Sequence, residues 1–244
     1  MKHLRNSMES RIRSPRNIEN QVRNKSKYHK SESKYYDRER NLTMSKPIFS
    51  ADSSYKPIFR HVEEAADAGM VEKICQEANE TYEQMLCAHA DLNSAAMMHW
   101  KQCCERAAIY LTLKKYYPET TMEWLNETLR EYGIHTGASL NRLLNHKVMK
   151  ALFMPVMRMM AKTAFGPKGG FKNQFGVMNK QEANFDILEC PYCKYLQELG
   201  CPELGPGFCK SDEYVYGNLD AFAFERTQTL ATGGEKCDFC LRKR

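Results

Sequence analysis

The sequence predicts an α+β fold: a helical N-terminal half packed on a small, mainly antiparallel sheet with short helices. Three observations lead there. Apolar residues recur at helical spacing through most of residues 61–164. At Gly166 the pattern changes to short alternating runs cut by Gly, Pro and Asn. Six of the ten cysteines then crowd into the last quarter of the chain: Cys190, Cys193, Cys201, Cys209, Cys237 and Cys240.

Residues 1–43 hold twelve Lys/Arg against five Asp/Glu, which leaves 24 basic and 25 acidic groups for residues 44–244. The net charge of +6 therefore belongs to the leading segment, and the remainder is close to neutral. That segment is rich in Lys, Arg, Ser and Asn and has no apolar stripe, so it reads as a disordered basic tail. Composition turns ordinary at Met44, an alternative first residue. A near-neutral body gives no charge-based reason for a nucleic-acid partner. No apolar core of a secretory signal lies near the start, and the longest apolar run, Ala151–Met157, falls far below the ~20 residues a spanning helix needs. The expectation is a cytoplasmic protein without membrane partners.

Three parts are expected: the tail, a helical part over 44–165 and a cysteine-rich α+β part over 166–244, the last two forming one folded unit. In the helical part, Ala65, Met70, Ile74, Ala78, Tyr82 and Leu86 predict one helix over 61–87. A second runs from about Asp91 to Tyr116 with Ala95, Met98, Cys103, Ala107, Tyr110 and Leu113 inward, stopped by Pro118. Residues 118–133 read as a short helix closed by Gly133. A fourth helix over 137–164 carries Met149, Met154, Met157, Met159 and Met160 as core filling, with a break or kink at Pro155.

In the second part, residues 171–180 and 181–190 read as two strands turning at Asn179–Lys180–Gln181, with a bulge at Gly176. Cys190–Leu199 reads as a short helix ended by Gly200 and Pro202. Gly205-Pro206-Gly207 reads as a break before a helix over 208–218. Residues 221–230 alternate as a strand, Gly233–Gly234 turn, and Lys236–Leu241 return as a hairpin partner.

Thiols this dense in a chain without a secretory signal point to catalysis, metal binding or redox chemistry. Cys190-x2-Cys193 and Cys237-x2-Cys240 have the spacing of zinc-ligand pairs, which makes a four-cysteine zinc site one reading. The other is nucleophilic catalysis by Cys209, which follows Gly-Pro-Gly and is placed in the first turn of a helix, where the macrodipole favours the thiolate. Asp212 lies three residues on, on the same helical face, positioned to exchange protons. No histidine follows His146, so a Cys–His dyad would have to borrow His89, His99, His135 or His146 from the helical part. The alternative is a histidine-free site with Asp212 as acid and base.

Five marks taken together resemble the L-2-amino-thiazoline-4-carboxylic acid hydrolase family: Cys190-Pro191; Gly200-Cys201-Pro202-Glu203; Cys209-x2-Asp212; Thr229-Leu230; and Gly233-Gly234-x2-Cys237-Asp238-Phe239. The resemblance covers 175–239 and centres on Cys190, Cys209 and Cys237, with Cys193 and Cys240 incidental. It implies a small-molecule substrate, a cyclic isothiourea bearing a carboxylate, and no cofactor. It implies Cys209 as nucleophile, Asp212 as acid/base and Cys237 as second candidate nucleophile or pocket wall. Arg226, with Lys210 behind it, is the candidate cation for the substrate carboxylate. Asn184 and Thr229 are candidate hydrogen-bond partners of the ring. The pocket is expected between the helical part and the sheet.

Overall fold

A computed structural model describes residues 47–244. The basic tail and the Met44 start lie outside the described residues. The first predicted helix is two: α1 (Lys56–Ala65) and α2 (Ala68–Cys87). The chain breaks at Ala66, and the Asp67 carboxylate accepts the Met70 N–H at 2.9 Å, capping α2. α3 (Ser94–Tyr116) begins at Asn93, whose side chain accepts the N–H groups of Ala95 and Ala96. It buries more than one stripe. His99, Trp100, Cys103 and Cys104 are all inaccessible, whereas Met98, expected inward, is 39 % exposed.

α4 (Thr121–Leu144) runs straight through Gly133, which was expected to end it. Gly133 serves helix packing instead. A Cβ there would lie 2.5 Å from the Cβ of Tyr214, and one at Gly137 would lie 2.8 Å from the Val215 carbonyl oxygen. The two glycines form a notch that seats a later helix. α5 therefore starts late, at Lys147, and runs to Lys162 with Pro155 inside it. Of its methionines, Met154 is core, Met157 is partly buried and Met159 stands 58 % exposed.

The sheet has the order β1 (Lys172–Met178), β2 (Glu182–Glu189), β4 (Cys237–Lys243), β3 (Phe222–Glu225), every neighbour antiparallel. The β1–β2 turn forms as expected: Asn179 Oδ1 accepts the N–H groups of Gln181 and Glu182, and the register slips between Phe175 and Met178. β3 is shorter than predicted. After Glu225 the Asp238 carboxylate takes the N–H groups of Thr227 and Gln228 at 2.9 and 2.8 Å, so these residues leave the ladder. β4 pairs with β2 through Ile187↔Cys237 and Asn184↔Cys240. Side chains alternate along a strand, so Cys237, Phe239 and Leu241 share one face and Asn184 and Cys240 share the other.

α6 (Pro191–Glu198) follows β2, and α7 (Gly205–Tyr216) continues directly from a 3-10 turn at Pro202–Leu204. Gly205-Pro206-Gly207 is thus the first turn of α7, where proline is tolerated, and not a break before it. The two hydrophobic cores do not divide at residue 165. Tyr195, Leu196, Cys201 and Leu204 join the core of α1–α4, whereas Leu144, Met154 and Ala161 join the sheet core with Phe185 and Phe239. No helix among the described residues is long and apolar enough to cross a membrane.

The glycine notch predicts the effect of one methyl group. Alanine at an interior helix position normally gains about 1 kcal/mol over glycine. Gly133→Ala should instead destabilise the protein by about 1–3 kcal/mol, since Tyr214 must shift. A lower urea midpoint supports the notch, and an unchanged or higher one contradicts it.

Candidate active site

α7 places Cys209 as its fifth residue, with Asp212 one turn on. Cys209 is therefore in the second turn, and the helix end expected to activate it is too far away, since that effect fades within the first turn. The residues that act on the sulfur come from other elements. The Cys237 thiol on β4 hydrogen-bonds to Cys209, as does the Thr229 hydroxyl, and the Arg226 guanidinium adds positive charge. Against burial and the Asp212 charge, these lower the Cys209 pKa to about 7. Cys237 moves the other way: the bond to Cys209 and burial hold it neutral, well above an ordinary thiol. Of the two thiols Cys209 is thus the more acidic, and Cys237 is the one that keeps its proton.

Local structure fixes both donors. After β3 the chain makes a 3-10 turn at Leu230–Thr232 and reverses at Gly233, whose φ of 85° suits glycine. The Thr229 carbonyl accepts the N–H groups of Thr232 and Gly234 at 3.2 and 2.9 Å. The Thr229 hydroxyl lies 2.9 Å from that of Thr232, which also donates to the Thr229 carbonyl at 3.2 Å. The Leu230 N–H donates to Cys237 Sγ at 3.2 Å. The sulfur pair and its hydroxyl are thereby held by a single turn facing α7.

Asp212 is pushed above the usual carboxylate range by burial, against the pull of Arg226. Its Oδ2 accepts from Arg226 Nη1 at 3.0 Å, while 43 % of the side chain stays open to solvent. The carboxyl group is thus ringed by protein yet partly open, with Oδ2 engaged by Arg226.

Several expected contacts are not made. Arg226 is only 4 % exposed, and its terminal nitrogens donate to the Cys209 carbonyl, Asp212 and Glu213, which leaves Nε as its one donor without a partner. Lys210 is surface-exposed and paired with Glu213 at 2.7 Å. Asn184 is on the sheet face opposite Cys237. Thr229 is near the sulfur as expected, engaged with Cys209 itself.

The four-cysteine zinc arrangement is not assembled. Cys237 and Cys240 are three residues apart on a strand and so point to opposite faces, and the Cys240 thiol contacts Glu182 at 3.6 Å. Among the described residues no group of three or more Cys, His, Asp or Glu is arranged to hold a metal ion. The histidines are elsewhere too. His99 is buried, with Nε2 donating to the Ala164 carbonyl and Nδ1 beside the Tyr192 hydroxyl, each at 2.8 Å. Burial lowers its pKa and keeps it neutral. His89 pairs with Glu198 at 2.6 Å.

Two further residues are near the site: Cys193, read from the sequence only as a possible zinc ligand, and Arg106, which the sequence did not mark. Cys193, on the first turn of α6, hydrogen-bonds to Cys190 and is close enough for its charge to act on Cys237. The helical i, i+3 spacing of Cys190 and Cys193 was the signal for that pair. Arg106 of α3 lays its guanidinium 3.7 Å from the centre of the Phe208 ring, beside Cys209. Nothing in the spacing of α3 marks it.

The thiolate assignment predicts a pH profile. Iodoacetamide should alkylate Cys209 faster as pH rises, with a midpoint near 7 and a plateau above it, because only the anion reacts. Thr229→Val, which removes one donor, should move the midpoint upward. A wild-type midpoint at the ordinary thiol value, read by peptide mass spectrometry, contradicts the assignment.

A sequence model of the L-2-amino-thiazoline-4-carboxylic acid hydrolase family matches residues 96–241. No curated protein and no solved structure matched the chain. The matched span exceeds half of the chain and runs from α3 into β4, so it contains the Cys209–Cys237 pair, Thr229, Asp212, Arg226 and Arg106. The chain belongs to the L-2-amino-thiazoline-4-carboxylic acid hydrolase family.

Proposed function

We propose that the protein hydrolyses a small cyclic isothiourea of the 2-aminothiazoline-4-carboxylate type, with Cys209 as nucleophile and Asp212 as acid and base. The observation that carries this reading is the Cys209 thiolate, hydrogen-bonded by Cys237 and Thr229 one helical turn from a partly open carboxyl group. Family membership supports the substrate class.

The electrophile is the ring carbon bonded to both nitrogen and sulfur. Cys209 Sγ adds to it, forming a carbon–sulfur bond. The bond from that carbon to the ring sulfur breaks, and the departing sulfur takes the proton of Asp212. The opened substrate is then held on Cys209 as an S-linked isothiourea. Water adds to the same carbon and gives a proton to the Asp212 carboxylate, and the Cys209 thiolate leaves. The product is an N-carbamoyl amino acid with a free thiol, and the overall change is the addition of one water. Side chains and water supply every group in this scheme.

Burial raises the pKa of Asp212, which favours the protonated form that the first half uses. Cys237 keeps its proton throughout and positions the nucleophile, donating to the anion before attack and after release.

Activity should appear as pH rises through about 7, where Cys209 ionises. Cys209→Ala should abolish thiol release from the aminothiazoline acid, and Asp212→Asn should lower kcat by about 10²–10⁴-fold. Discontinuous thiol titration reads both. Turnover by Cys209→Ala at the wild-type rate would remove the nucleophile, and an undiminished Asp212→Asn would remove the acid.

A further inference from the structure

We infer that α5 and the edge strand β1 beside it form a face that lies on an anionic lipid surface without crossing it; this is independent of the reaction proposed above. Between Tyr132 and Gln181 the chain has eight Lys/Arg and no Asp or Glu, so the near-neutral total for residues 44–244 conceals a one-sided charge. That stretch builds the end of α4, all of α5 and β1. Six of the eight cations are exposed: Arg142, Lys147, Lys162, Lys168, Lys172 and Lys180. Among the described residues only Lys172 of these is ion-paired, with Glu189 at 3.2 Å.

α5 is apolar on the side that meets solvent. Val148, Leu152, Val156 and Met159 recur at three- and four-residue spacing and are 68, 49, 41 and 58 % exposed. Met154 and Ala161 are its only buried residues. A helix of a globular protein normally turns its apolar stripe to the core and its polar face to water. The stripe continues at both ends. Exposed Leu143 precedes it, and Lys162 after it lies 5.8 Å from the centre of the Phe175 ring, itself exposed on β1. Lys147 stands in the first turn of α5, where the helix dipole disfavours a cation and no acidic residue offsets it. Stability of the helix does not account for that lysine, and an anionic partner does.

The side chains select lipid among anionic partners. An aliphatic ridge gains by leaving water for an acyl layer, whereas single-stranded nucleic acid takes aromatic platforms and duplexes are held through phosphate contacts. A second copy would set this face against itself across a two-fold axis, cation towards cation. Lysine stems can follow the apolar stripe while their ammonium groups reach lipid phosphates. The rest of residues 44–244 holds sixteen Lys/Arg against 25 Asp/Glu, so an anionic surface repels the other sides and orients the molecule on this one. The expectation of no membrane partner rested on the lack of a spanning segment, which still holds for the described helices, and does not extend to a peripheral contact.

The test is sedimentation of the full chain with vesicles of phosphatidylcholine containing about one-third phosphatidylserine, against vesicles of phosphatidylcholine alone. Wild type should sediment with the anionic vesicles and stay in solution with the neutral ones. Leu152→Glu should weaken binding at least about 10-fold. Lys147→Gln and Lys162→Gln should each weaken it about 5-fold. All three positions are exposed, so an unchanged thermal midpoint separates lost binding from lost folding. Wild type that stays in solution with anionic vesicles, or that binds both vesicles equally, overturns the inference. Binding that all three variants retain in full belongs to another segment and overturns it too. A wild-type dimer that Leu152→Glu dissociates, read by sedimentation velocity, makes the stripe an interface between copies and likewise overturns it.

Discussion

The site depends on one buried guanidinium. Arg226 sits just beyond β3 and donates only to α7: the carbonyl of Cys209 and the carboxylates of Asp212 and Glu213. Burying such a charge is unfavourable unless acceptors surround it, and removing one partner of a buried pair costs about 3–5 kcal/mol. The contact therefore clamps the second and third turns of α7 against the segment that continues into Thr229 and returns as Cys237. From the other side, the Gly133–Gly137 notch of α4 lets Tyr214 and Val215 approach closely. Between the clamp and the notch, α7 has little freedom to move its thiol away from the turn.

That placement explains how a thiol near the middle of a fold ionises without histidine. Burial and Asp212 oppose the anion, while a neutral thiol, a hydroxyl and a guanidinium favour it, and the balance falls near neutrality. The second sulfur has a distinct use. A neutral S–H stabilises the thiolate without adding a positive charge that would also depress Asp212. Arg226 supplies the charge and binds Asp212 through Oδ2, and the Asp212 side chain stays partly open to solvent.

Much of this was legible in the sequence because it is local. Alternation gave the β1–β2 hairpin with its bulge and the return strand β4, and the pairing of Cys209 with Asp212 followed from helical spacing. What failed was tertiary. Gly133 reads as a helix stop unless Tyr214, distant in sequence, is known to lie against it. Residues 226–229 alternate like a strand, yet Asp238 captures their N–H groups and bends them away. An arginine on a strand and an arginine buried in an ion-pair network share the same spelling, so Arg226 looked available and Arg106 looked ordinary. The two CxxC motifs also look alike, but on a helix the spacing keeps both sulfurs together and on a strand it separates them.

The central claim is that Cys209 carries the reacting carbon. The most direct measurement is rapid acid quenching during turnover of the aminothiazoline acid, followed by peptide mass spectrometry. Ring opening leaves every substrate atom attached, so the account predicts a peptide containing Cys209 heavier by one intact substrate molecule, formed before free thiol product appears. Product formation with an unmodified Cys209 peptide at every quench time, or the same mass increase on Cys193 or Cys237 instead, would contradict it.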